Sequence, residues 1–387
     1  KGERGGAGRG GGGGGGGRGG GGGRGGGGGR GGRPPGGGGS GGNVAALLRG
    51  RELTLGGQMG AQWRLRPGQV LGRAPVPATG KDPRKALGSA GGILEVSQIA
   101  RARSIIFDLC TDVDFDVRGE TFVLMTRAFD RAGAAQAICT IARPSDANFA
   151  EQARLVEAWA VLRPERVPEI LDQMDVPMGL WASVMDLNST TTPHTLALID
   201  VCIGFAAHVV HRIKHSLGTA RPVMFSPYIQ PIRPTPRFGA LPSGHATEAF
   251  VVSELLKKLI GCRDSADSAA KVLDAYAERI ATNRVVAGFH FPVDSMAGCM
   301  LGTCLIDYVQ RLATPDAVNF SPYQFVYTGA NPEFDPEVWR RPPKPSDAGA
   351  QLGDIEGKSI VVAGLGSDHA KTSSLSALWE AAANEWR

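Results

Sequence analysis

The chain carries no CxxC pair among its six cysteines, Cys110, Cys139, Cys202, Cys262, Cys299 and Cys304. Their apolar, helix-like surroundings fit reduced, buried thiols better than a disulfide framework. A clean apolar run of ~20 residues is also missing, so no membrane span is expected. The longest candidates, LALIDVCIGFAAHVV (196–210) and MAGCMLGTCLIDYV (296–309), fall short, and the first contains Asp200 and His208. No charged-then-apolar leader is visible. The expectation is a soluble, cytoplasmic protein, with export left open because the sequence begins at Lys1 rather than Met.

Net charge is nearly absent outside the first 43 residues. That tract, nearly all Gly and Arg, holds Lys1, Arg4, Arg9, Arg18, Arg24, Arg30 and Arg33 against Glu3 alone. It supplies +6 of a whole-chain charge of +5, which leaves the remainder at −1. The basic balance therefore says nothing about the folded part. With no apolar side chains to bury, the tract reads as disordered. It resembles RGG segments that contact RNA, yet no Phe or Tyr is interleaved to stack on bases. A solvated low-complexity extension is the plainer reading.

Strand-like alternation is scarce too, and what is present is helical periodicity. Four regions follow from it: a disordered tail (1–43), an irregular extension with Gly-Pro punctuation (44–99), a helical catalytic domain (100–320), and a Pro-rich segment with a C-terminal helix (321–387). DANFAEQARLVEAWAVL repeats apolar residues three and four apart, and VPEILDQMDVPMGLWASVM continues with a break expected at Pro177. TTTPHTLALIDVCIGFAAHVVHRIKHSLG offers a Thr N-cap, Pro193 in the first turn and Gly218 at the end. Residues 245–260, 266–286 and 294–312 add three helices, which together predict an all-α bundle. VVAGLG (361–366) looks like a dinucleotide fingerprint without its third glycine or its βαβ unit, and carries no weight.

Three motifs then fall in order. KHSLGTARP sets Lys214 and Arg221 seven apart, about two helical turns and nearly one face. LPSGHATEAF places Ser243 and Gly244 where a helix opens, with unpartnered N–H groups that favour an anion, and His245 beside them. NRVVAGFHFPVD sets Arg284, His290 and Asp294 as R-x5-H-x3-D, so that on one turn the carboxylate orients the imidazole. Alone, each motif is ordinary: a solvated helix face, a helix start, a chance spacing. Jointly they describe a site for a tetrahedral oxyanion. Three cations neutralise its oxygens, guanidinium forks bind bidentately, one histidine attacks or coordinates the centre, and the other protonates the leaving oxygen.

K-x6-R-P, PSGH and R-x5-H-x3-D together resemble the signature of the type 2 phosphatidic acid phosphatase and vanadium haloperoxidase superfamily, over roughly residues 190–310. The resemblance implies an all-α bundle with the anion buried among helices. In phosphatase-like members His290 would be the nucleophile of a phosphohistidine, with no cofactor or metal, and His245 the general acid that later activates water. In haloperoxidase-like members His290 would ligate vanadate, with halide and peroxide as substrates. Lys214, Arg221, Ser243, Gly244 and Arg284 would hold the oxygens in both. Asn283 stands where the third motif usually has serine, a change expected to tune the pocket.

Within that resemblance, HFPVD and the small-residue run SMAGCMLG are similar to phosphatase members. Phe238, seven before His245, falls where chlorinating haloperoxidases carry phenylalanine, while His211 falls where they carry tryptophan. Packing in a Pro-rich loop accounts for Phe238 equally well. The expected activity is phosphate-ester hydrolysis, with vanadate-dependent halide oxidation as the alternative and an RNA-associated protein as the third reading. His208, His211 and His215 share a helix face at metal-ligand spacing, but Lys214 beside them disfavours a cation.

Overall fold

A computed structural model describes residues 91–127, 135–262, 267–314, 320–329, 333–335 and 373–387. The Gly/Arg tail, residues 44–90 of the extension and the VVAGLG stretch lie outside them.

A short 3₁₀ turn at Gly91–Leu94 leads into α1 (Gln98–Asp112). Three strands follow, β1 (Val113–Arg118), β2 (Thr121–Thr126) and β3 (Ala137–Ala142). Then come α2 (Asp146–Trp159), α3 (Arg163–Asp172), α4 (Met178–Val184) and the long α5 (Pro193–Leu217). The motif-bearing helices are α6 (Gly244–Leu259), α7 (Ser268–Val286) and α8 (Pro292–Ala313), followed by β4 (Tyr323–Phe325) and α9 (Ser373–Asn384).

The all-α expectation fails on the sheet. β1, β2 and β3 are antiparallel neighbours, and β4 joins β3 in parallel, a four-stranded mixed sheet. Two different signals were involved. β1 reads VDFDVR, a clean alternation that ends in Gly119, whose φ of 57° suits a tight hairpin turn. β3, AICTIA, is buried at its first five positions, so it shows no alternation and is indistinguishable by period from a helix fragment. The sheet packs β3 and β4 against α8 and β2 against α5.

By length and composition alone α5 could cross a membrane: the segment Pro193–Met224 contains an 18-residue window of mean hydropathy 1.6. In this fold 61% of that window is buried inside the protein, and it carries Asp200, whose carboxylate accepts from Gln98 at 3.0 Å. Burial raises Asp200 to about 6. All six cysteines are free, and Cys139, Cys202, Cys299 and Cys304 are buried.

The start of α5 is capped from a distance. Thr192 makes no side-chain cap. Instead Glu385, just past α9, accepts from the N–H groups of His194 (2.7 Å) and Thr195 (2.8 Å) and from Thr195 Oγ1 (2.7 Å). An anion on those free donors also meets the positive end of the helix dipole. Replacing Glu385 with alanine is expected to cost about 1–2 kcal/mol of stability. Urea unfolding measures it; an unchanged midpoint would show the cap to be idle.

The core around the site rests on close helix contact. α8 lies against α6 through Gly298 and Gly302, where backbone meets backbone and no β-carbon fits. That contact sets the start of α6 beside the start of α8.

Candidate active site

Neither helical spacing expected from the motifs is how the side chains meet. α5 stops at Gly218, in the left-handed conformation with φ 54°, so Arg221 stands on the extended chain beyond. Lys214 and Arg221 converge through the loop 237–240 instead. Lys214 Nζ donates to Gly239 O (2.9 Å) and Ala240 O (2.8 Å), and Arg221 Nε donates to Phe238 O (3.2 Å). Both cations stand over the Phe238 ring, at 5.4 and 5.2 Å from its centroid. His290 likewise precedes α8 rather than lying on it, and Asp294 is the third residue of that helix.

The resulting hydrogen bonds fix the chemistry of His290. Arg221 Nη1, which can only donate, lies 3.0 Å from His290 Nε2. Nε2 is therefore the unprotonated nitrogen, and Nδ1–H donates to Asp294 Oδ2 at 2.9 Å. Asp294 Oδ2 also accepts from the Phe291 N–H (3.0 Å), while the Asp294 carbonyl accepts from the Ser243 N–H (2.9 Å). The last bond ties the PSGH start to the histidine's own segment. Ser243 caps α6 by accepting from Ala246 N, and Gly244 is the first helical residue.

His245 is held on its other side. Its Nε2 lies 3.0 Å from the Met174 carbonyl, which can only accept, so Nε2 carries the proton and Nδ1 is the site that titrates. Arg284 is fully buried, and its four Nη contacts are all with the chain around the end of α3. Nη1 donates to Gln173 O (3.3 Å) and approaches Met174 Sδ (3.7 Å); Nη2 donates to Ile170 O (3.2 Å) and Gln173 Oε1 (3.0 Å). Nε is left buried without a partner. A guanidinium has five N–H donors, so Arg284 offers one, not a fork. Lys214, with two of its three donors on carbonyls, likewise keeps one. A second unpartnered buried atom is Asp294 Oδ1.

Burial, followed by Arg221, Lys214, His245 and Arg284, holds His290 well below the usual imidazole range. Two contacts join the three motifs directly: Arg221 Nη1 meets His290 Nε2, and the Ser243 N–H donates to the Asp294 carbonyl. His245 falls to about 3, by burial first and then Arg284, against the opposing Met174 carbonyl. Lys214 is pushed well below the usual lysine range by burial and then Arg221, and burial takes Arg284 down to about 10. Burial raises Asp294 to about 6, against the pull of the Phe291 N–H, Lys214 and Arg221.

A bound dianion offsets the cations that add to burial in keeping His245 neutral, so binding takes up a proton. Sulfate, whose own charge is constant here, is expected to bind more tightly as pH falls from 7 to 5, by up to about tenfold per pH unit. Competitive inhibition measures this, and the slope becomes shallower in His245→Ala. A flat profile in the intact protein would refute the coupling.

Of the three pocket candidates, Phe238 and His211 meet edge to face at 5.1 Å beside the cations. Phe238 is 44% exposed and His211 is also exposed, at the rim. Asn283 points elsewhere: Nδ2 donates to Glu169 Oε1 and Gln173 Oε1 (both 2.9 Å), and Oδ1 accepts from Arg166. It locks α7 to α3 instead of lining the anion centre. Sequence reasoning missed Glu169, Gln173 and Met174, because VPEILDQMDVP carries no motif; only the fold brings it here. Among the described residues no His/Cys/Asp/Glu cluster suits a metal ion, and His208 turns its Nδ1 to Gly204 O at 2.7 Å.

Three buried cations and two imidazoles gather at the opening of a helix, an arrangement whose chemistry suits a small oxyanion. Residues 195–314 match the family model described as the PAP2 superfamily. Among curated proteins none matches the chain.

Proposed function

We propose that the protein hydrolyses phosphate esters by way of a phosphohistidine on His290. The observation that carries this reading is the forced tautomer: Nδ1–H on Asp294 leaves the Nε2 lone pair free to attack. Arg221 Nη1 exchanges its bond to Nε2 for a phosphate oxygen as the ester enters. The spare donors of Lys214 and Arg284 take the other oxygens, and the N–H groups opening α6 face the same charge. Nε2 then bonds to phosphorus while the P–O bond to the alcohol breaks, and His245 delivers a proton to the departing oxygen. In the second half His245 takes a proton from water, whose oxygen attacks phosphorus and breaks the P–N bond.

Vanadate has the shape and charge of phosphate, and the unpartnered Arg284 Nε fits it equally, with His290 as its ligand. Bound there, it would supply peroxide activation for halide oxidation. Phe238 beside Lys214 and Arg221 is the observation that favours this second reading. A paired assay separates the two: chromogenic phosphate-ester hydrolysis without vanadate, then bromide or chloride oxidation with vanadate and peroxide. Turnover in the first is expected; turnover only in the second overturns the phosphatase reading.

A further inference from the structure

The donor count at Arg284 makes its supports as informative as the arginine itself. Three oxygens accept from Nη1 and Nη2, and two of them, the carbonyl and Oε1, belong to Gln173. Gln173 is 1% exposed and caps the end of α3. Its amide cannot flip freely. Nε2 donates to Glu169 Oε1 at 2.9 Å, so Oε1 is the end turned to Arg284 and to Asn283 Nδ2. Glu169 is itself clamped by Arg279, whose Nε and Nη2 donate at 2.7–3.0 Å, and that ion pair holds its carboxylate below the usual range. The next residue, Met174, accepts from His245 Nε2.

We propose that Gln173 is a positioning residue of the anion pocket, which aims the one free donor of Arg284 by occupying the guanidinium's far side. Without Oε1, Nη2 loses its shortest partner and the guanidinium plane can rotate, so that Nε no longer points where the anion sits. The adjoining carbonyl of Met174 selects the Nε2–H tautomer of His245, so a single turn orients both an oxyanion donor and the proton carrier. The inference rests on the oxyanion-pocket reading but not on hydrolysis, because it concerns binding of any tetrahedral dianion.

The test uses the full chain with Gln173→Met, which keeps the size and loses all three side-chain hydrogen bonds, and Gln173→Glu, which keeps oxygen acceptors towards Arg284. Sulfate affinity by calorimetry and ester kinetics are measured together. Gln173→Met is expected to weaken sulfate binding and lower kcat/KM by about ten- to a hundredfold. Gln173→Glu is expected to recover part of the sulfate affinity. A purely structural role would reduce the amount of folded protein while leaving the dissociation constant of the folded fraction unchanged, and that result overturns the proposal. So does a Met variant that binds as tightly as the parent. Should Gln173→Met fail to fold, Gln173→Asn replaces it, and parent-like sulfate affinity there overturns the proposal in the same way. A protein that binds sulfate in a Gln173-dependent manner but turns over no ester would sink the phosphatase reading and leave this one standing.

Discussion

Replacing His290 with alanine is expected to remove ester turnover, by roughly 10⁴- to 10⁶-fold in kcat, the range seen when an attacking group is deleted. The physical reason is the bond pattern around one ring. Arg221 can only donate to Nε2, and Asp294 accepts from Nδ1, so the imidazole is neutral, oriented, and has its lone pair on the pocket side. Asp294→Asn tests the same picture from behind, since an amide can present its NH₂ to Nδ1 and drive the proton to Nε2, which blocks attack. His245→Ala should behave differently. It is expected to lower kcat by about 10²- to 10⁴-fold for an alkyl ester, and by much less for a nitrophenyl ester, whose leaving group needs no proton. Sulfate affinity near neutral pH should change little in that variant. Retained turnover in His290→Ala, or an equal loss for both esters in His245→Ala, would contradict the assigned roles.

How much of this could be read along the chain depends on the reach of each interaction. The long helices were legible because their signals are local: Pro193 opens α5, Gly218 ends it, and Pro177 stands at the start of α4. The strand at 113–118 is also written locally, in VDFDVR followed by glycine, whereas β3 and β4 are hidden by burial and shortness. The motif residues stand out along the chain as candidates, but the way their side chains meet does not. Lys214 and Arg221 meet across a loop after the helix has ended, and the expected bidentate fork of Arg284 is consumed by α3. The cap on α5 comes from Glu385, 191 positions beyond His194, and no window along the sequence contains both. Electrostatic partners drawn from distant segments leave no periodicity behind.

Gly298→Val is expected to destabilise the fold by about 1–3 kcal/mol or more and to lose activity beyond what the loss of folded protein explains. Two effects oppose each other at that position. Removing glycine from a helix interior gains up to ~1 kcal/mol in propensity. Against this, a β-carbon at Gly298 would stand 2.8 Å from Ser243 O, 2.9 Å from Ala246 Cβ and 3.1 Å from Thr247 N. Those neighbours are mostly backbone of the α6 start and cannot rotate away, so the clash outweighs the propensity gain. Gly302 repeats the arrangement one turn later, at 2.7 Å from Thr247 O. Relief requires α8 to move off α6, and that movement stretches the 2.9 Å bond from Ser243 N to Asp294 O, which joins the two histidine-bearing segments. Gly204 on α5 is the control: a β-carbon there meets only the tip of the Ile106 side chain, which can turn aside. Gly204→Ala should therefore be near neutral, while Gly298→Ala already lowers the melting temperature and the more crowded Val variant lowers kcat as well. Thermal unfolding and kinetics on the folded fraction decide it. A Gly298→Val protein with parental stability and rate would mean that the close approach of α8 to α6 does not position the pocket.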